Sequence, residues 1–274
     1  MLTRIISGVI GIGAAACVIQ YGGWLFAIAV LMLVLIAWYE FSKAFAAKGI
    51  RVGYLTGAAM IFLLWGCSWL GNPEELFAIT TLSALVLTAQ AVIRYKKFSV
   101  PGALVTLGGV MYIGLSFSHL ILLRFYGEGT MVASPLGDFD LGCAYVWTAL
   151  IGTWASDTFA YFTGTAFGKH KLCPDISPKK SVEGFAGGIA GTMLSVAGLG
   201  VFFNFDVLMM AILGLFICLV ATLGDLVESI MKRYTGIKDS GNIIPGHGGV
   251  WDRFDSVMFT VPFVYYFMQI AAVR

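Results

Sequence analysis

Charge is what this sequence is short of. Asp, Glu, Lys and Arg make up 12% of its 274 residues against 59% hydrophobic residues, and the mean hydropathy is +0.88. Soluble globular chains carry about twice that share of charge, so a soluble domain is excluded and a lipid environment is implied. The five cysteines, Cys17, Cys67, Cys143, Cys173 and Cys218, are scattered with no C-x-x-C pair. That excludes a zinc ribbon or a dense disulfide framework and leaves them as small buried hydrophobes. No internal repeat points to an inverted-repeat transporter, no low-complexity tract interrupts the chain, and nothing suggests nucleic-acid binding.

What is there is a succession of apolar runs at 5–20, 23–41, 54–71, 76–93, 102–123, 142–166, 184–203, 207–228 and 255–272. At about 20 residues per membrane-spanning helix, they predict an all-α, polytopic integral membrane protein of about nine transmembrane helices. The first two runs meet at Tyr21-Gly22-Gly23, as a tight hairpin or as one long bent helix. Arg4, its apolar run and Ala14 to Ala16 also have the form of a secretory signal peptide, although its removal would take away a helix that the charge pattern uses.

The basic residues set the orientation. With the N-terminus cytoplasmic, the inner segments 1–4, 42–53, 94–101, 167–183 and 229–254 hold every Lys and Arg except Arg124 and Arg274. The loop 126–141 on the other face carries Glu128, Asp138 and Asp140. The basic face attracts anionic head groups and nucleotide phosphates.

The candidate chemistry lies on that face. Asp225, Ser229 and Lys232 (i, i+4, i+7) share one side of a helix, and a carboxylate inside an apolar span is costly unless paired or bound to a cation. Lys232 and Arg233 also read as snorkelling side chains at an amphipathic helix end. Asp252 and Asp255 share a face at the start of the last run, as a cation site or as first-turn acids complementing the helix dipole. Asp225 and Asp252 close a re-entrant segment and together can hold a divalent cation. Hard oxygen donors without a His or Cys cluster favour Mg²⁺ over zinc.

Between them, Gly236, Gly241, Gly246, Gly248 and Gly249 with Pro245 and His247 form either ordinary turns or an amide cradle for phosphate. His247 reads as a proton shuttle, a phosphate donor or a structural histidine. A second loop offers Ser177, Lys179 and Lys180, with Ser181 and Glu183 suited to a helix start. Asp157, within the run 142–166, is a functional carboxylate or a hydrogen-bonding partner for a neighbouring helix.

The 27 residues from Ser229 to Asp255 resemble the signature of the phosphatidate cytidylyltransferases, or CDP-diacylglycerol synthases, of bacterial type. Ser229, Lys232-Arg233, Lys238-Asp239, Gly241, Pro245, His247-Gly248-Gly249, Asp252-Arg253 and Asp255 fall at that pattern's spacing. Ser156-Asp157-Thr158, Phe167 to Leu172 and Ser177-Pro178-Lys179-Lys180 are similar as well, so the resemblance covers about 145 to the C-terminus. Ser181-Val182-Glu183-Gly184 departs from a common Thr-Trp-Glu-Gly but keeps the hydroxyl and the acid.

The resemblance implies transfer of CMP from CTP to phosphatidic acid, in the bacterial inner membrane, by a protein that can form a homodimer. On this reading Asp225, Asp252 and Asp255 hold Mg²⁺, with room for a second cation. Lys232, Arg233 and Asp157 are catalytic, the cations neutralising phosphate charge and the aspartate orienting one of them. Ser177, Lys179, Lys180, Ser229, Lys238, His247, Gly248 and Arg253 bind substrate. Residues 1–141 form N-terminal transmembrane helices and 142–274 the catalytic region of one integrated membrane domain. The alternatives are a CTP-dependent transferase for another lipid or polyprenol phosphate, and an organic-anion transporter. A transporter requires functional charge near the bilayer midplane rather than at one face.

Overall fold

The computed structural model describes residues 2–243 and 248–271, with the backbone alone for 2–7. It is 75% helical, and its only regular sheet among the described residues is two short antiparallel hairpins. The class is all-α. In chain order the helices are α1 (Leu2–Tyr21), α2 (Gly23–Ala47), α3 (Tyr54–Trp69), α4 (Glu75–Ile93) and α5 (Val100–Gly109). A π-helical turn at Val110–Leu115 carries α5 on into α6 (Ser116–Arg124). Then follow α7 (Leu141–Phe167), α8 (Val182–Phe202), α9 (Val207–Thr235), α10 (Val250–Phe254) and α11 (Val257–Ala271). The strands are β1 (Met131–Val132) with β2 (Phe139–Asp140), and β3 (Lys171–Cys173) with β4 (Ser177–Ser181).

Among the described residues five helical segments are long and apolar enough to cross a membrane: α2, α4, the continuous Val100–Arg124, α8 and α9. Large apolar side chains such as Phe77, Leu85, Leu194 and Leu208 point outward from them, as a lipid-facing surface requires. The first two apolar runs are separate helices. Gly22 and Gly23 both take positive φ (64° and 51°), a conformation that interrupts the helix and that glycine adopts without strain.

The chain divides into two compact units. The first comprises 1–122 and 231–254, the second 123–230 and 255–274. In the first, α2 packs on α3 and on the short α10, and α4 on α3 and α5. Its centre is aromatic: Trp38 is fully buried, stacks on Phe41 at 5.7 Å, and Phe41 meets Trp251 edge-on at 5.3 Å. Gly57 and Gly109 lie against the Trp38 ring, where a Cβ would overlap it. The indole N–H of Trp38 donates to the Tyr54 carbonyl at 3.0 Å, which keeps the buried ring satisfied.

In the second unit α7 lies along α8, and α11 packs on α7. The closeness of α7 and α8 comes from glycine spacing on α8. Gly184 and Gly188 sit against the Ala160 turn of α7, Gly187 against Thr163, and Gly191 against the Phe159 ring. Small residues at such spacing let two backbones approach, which is how helices associate where no hydrophobic driving force separates them from lipid. Arg124, a basic residue expected on the non-cytoplasmic side, is 5% exposed and pairs with Asp140 at 3.3 Å.

Candidate active site

The candidate residues fall into two groups, one in each unit. In the second unit a cavity of about 510 Å³ opens between α7, the β3–β4 hairpin and the start of α8, with α9 as its floor. Asp157 reaches it from α7, Lys171, Lys179 and Lys180 from the hairpin, and Thr222 and Asp225 from α9. That size suits a nucleotide-sized ligand. The hairpin was expected only as a loop. Its antiparallel pairing sets Lys171 opposite Ser181 and Cys173 opposite Ser177, and Lys171, Lys179 and Lys180 all line the cavity.

Local chemistry holds the hairpin in place. Ser181 caps α8, its hydroxyl accepting from the Gly184 amide at 3.1 Å, as its position before the helix predicts. Glu183 accepts from the amides of Lys169 (3.0 Å) and His170 (3.2 Å) and meets His170 Nδ1 at 2.6 Å. One first-turn acid thus folds the incoming loop back onto the helix.

On α9, Lys180 Nζ lies 2.5 Å from Asp225 Oδ2, and the Ser229 hydroxyl donates to Asp225 Oδ1 at 3.3 Å. The i, i+4 pairing of Asp225 with Ser229 is therefore formed. Carboxylate oxygens of Asp225, Glu228 and Asp255 all lie within 4.8 Å of one another. Glu228, 1% exposed, escaped the sequence reading although it stands at i+3 from Asp225. Three converging carboxylates repel one another when ionised, and Lys180 pairs with Asp225 among them. The all-oxygen donor set fits a hard divalent cation.

The second group is in the first unit. Lys232 Nζ donates to Asp252 Oδ1 at 3.0 Å, while Asp252 Oδ2 accepts from the amides of Ser240 (2.9 Å) and Gly249 (3.0 Å). Asp252 is thus the hub that closes the loop between α9 and α10. Arg233, Lys238 and Arg253 are exposed. His247, with Pro245 and Gly246, lies outside the described residues.

The glycines here have separate duties. Gly236 (φ 77°) ends α9: its amide donates to Arg233 O and that of Ile237 to Lys232 O, the paired bonds of a helix stop. Gly248 takes φ 91°. Gly241 and Gly249 leave room for a carboxylate that no motif flagged, that of Glu40 on α2. Glu40 accepts from the Ser240 hydroxyl (3.1 Å) and from the amides of Val250 (3.2 Å) and Trp251 (2.8 Å). A general rule, that an ionisable residue within an apolar span deserves a functional reading, was the available signal.

A model of the cytidylyltransferase family matches residues 2–271. The chain belongs to that family. It is 35% identical to a phosphatidate cytidylyltransferase of Synechocystis sp., over 97% of this chain and 95% of the relative. Phosphatidate cytidylyltransferases of Bacillus subtilis and Staphylococcus saprophyticus are each 32% identical, over 98% and 96% of this chain. Similarity read in the sequence only from about residue 145 onward thus extends through the N-terminal helices as well.

Proposed function

We propose that this chain is a phosphatidate cytidylyltransferase, transferring CMP from CTP to phosphatidic acid and releasing pyrophosphate. The observation that carries the reading is the cavity in which Lys171, Lys179 and Lys180 face Asp157 and Asp225, beside the carboxylates of Glu228 and Asp255. The family and its full-length relatives support it.

The lipid phosphate is already anionic, and its oxygen attacks the α-phosphorus of CTP. A new P–O bond forms, the bond to the β-phosphate breaks, and pyrophosphate leaves with the bonding pair. No protein base is needed. What the protein supplies is positioning and charge compensation. Lys179 and Lys180 hold phosphate oxygens in the cavity, with Ser177 at the head of their strand. Asp157 orients a lysine, and Ser229 keeps Asp225 turned toward its neighbours. Lys232, Arg233, Lys238 and Arg253 add positive charge on the α9–α10 loop, where Asp252 fixes Lys232. Asp225, Glu228 and Asp255 would hold Mg²⁺, which when bound supplies positive charge against the phosphates.

The reading places nine spans in a bacterial inner membrane, N-terminus and active site on the cytoplasmic side. The positive-inside pattern supports this, and single-cysteine labelling from either side of vesicles tests it. The reaction is tested with detergent-solubilised protein, labelled CTP and phosphatidic acid, with and without Mg²⁺. The expected result is labelled CDP-diacylglycerol with stoichiometric pyrophosphate. Folded protein that labels only a polyprenol phosphate or another lipid phosphate would replace the acceptor, and no labelled lipid at all would remove the transferase reading.

A further inference from the structure

We infer that Glu40 is a positioning residue for the transfer: from α2 it fixes both ends of the α9–α10 loop and so sets where Asp252 stands. The inference rests on the transferase reading above for its functional consequence, and on geometry alone for the clamp.

Glu40 is 1% exposed in a helix that is otherwise apolar enough to span a membrane. A carboxylate there is costly unless its oxygens are satisfied. Its hydrogen-bond partners all come from one segment far along the chain. Oε2 accepts from Ser240 Oγ and Trp251 N, and Oε1 from Val250 N. The amides of Val250 and Trp251 open α10, where they have no intrahelical acceptor. A methyl group at Gly241 or Gly249 would overlap the Glu40 carboxylate, so two glycines of the signature are explained by this side chain.

The link to Asp252 is direct. Ser240 gives its hydroxyl to Glu40 and its amide to Asp252. Gly249 gives its amide to Asp252, and the next two amides go to Glu40. Two carboxylates therefore divide the donors of one loop, and loss of either leaves the other's donors free to drift. Glutamine keeps a single acceptor oxygen and turns an NH₂ toward backbone N–H groups. Aspartate is one methylene too short to reach both ends.

The experiment compares wild type with Glu40→Gln, Glu40→Asp and Ser240→Ala in lipid nanodiscs, reading amide hydrogen exchange together with kcat and the KM for CTP. In Glu40→Gln, exchange at Val250 and Trp251 should quicken at least about tenfold while that of α7 and α8 stays as in wild type. Its kcat should fall on the order of 100-fold, as misplacement by about 1 Å can cause. Glu40→Asp should not rescue, and Ser240→Ala should lose about tenfold in kcat.

A folded Glu40→Gln with wild-type exchange at 249–252, or with wild-type kcat and KM, overturns the inference, because a residue serving only stability lowers folded yield and not turnover per folded molecule. If the Glu40 variants fail to fold, Ser240→Ala decides: lost kcat supports the clamp and wild-type turnover overturns it. If wild type makes no CDP-diacylglycerol, the transferase reading falls while the exchange comparison still judges the clamp.

Discussion

Glu228→Gln separates a cation site from a merely acidic corner, because its effects on stability and on activity have opposite signs. Carboxylate oxygens of Asp225, Glu228 and Asp255 lie within 4.8 Å of one another. At an effective dielectric of about 20, each ionised pair at that distance repels by about 3.5 kcal/mol. Removing Glu228 deletes two such pairs, a gross relief of about 7 kcal/mol. Lys180 and solvent screen much of this, since the Asp225 side chain is 31% exposed. The net gain in metal-free stability should be about 1–3 kcal/mol. Cation binding works against that gain. Wild type with Mg²⁺ at 100 times its Kd gains about 2.7 kcal/mol, whereas a variant binding about 100-fold more weakly gains about 0.4 kcal/mol. The assay is thermal unfolding in detergent with EDTA and across a Mg²⁺ titration, run beside turnover. A Glu228→Gln protein that is less stable than wild type in EDTA, or that keeps the wild-type Mg²⁺ response and turnover, refutes the assignment.

Lys180→Gln should lower turnover with saturating lipid by about 10- to 100-fold, the range for losing a charge-assisted contact of about 1.5–3 kcal/mol; initial rates against CTP concentration check it, and unchanged kinetics would move phosphate binding elsewhere. Gly191→Leu, placing a side chain where the Phe159 ring lies, should cost about 1–3 kcal/mol or more by forcing α7 from α8, seen as a lower unfolding temperature. Arg124→Gln removes a 5% exposed guanidinium from Asp140 and should destabilise by about 1–3 kcal/mol without altering the KM for CTP, which the same melts and rate curves decide.

Much of the helical framework was legible because lipid-facing helices must be apolar along most of their length. The ends were less so. The apolar run that stops at 41 continues as helix to Ala47, and α9, expected as helix through Arg233, runs to Thr235, because hydropathy marks the part of a helix that lipid covers and not its hydrogen bonding. Ser229 could be joined to Asp225 from spacing alone. Glu228 obeys the same spacing, but its burial depends on packing that the local sequence does not record. The glycines of α8 resemble turn residues in one dimension and become a helix contact only once α7 is beside them. Glu40 carried only the general signal of an acid in an apolar run, since the partners that define its role lie 200 to 211 residues away.

That separation has a consequence for how the molecule is made. At about 5–20 residues per second, some 10–40 s pass between synthesis of Glu40 and the emergence of Ser240, Val250 and Trp251. Throughout that interval α2 carries an acid whose eventual hydrogen-bond donors do not yet exist, in a segment apolar enough to enter the bilayer. The nascent helix must wait near the interface or be sheltered by the insertion machinery, so the residue that steadies the finished loop also raises the cost of inserting its own helix.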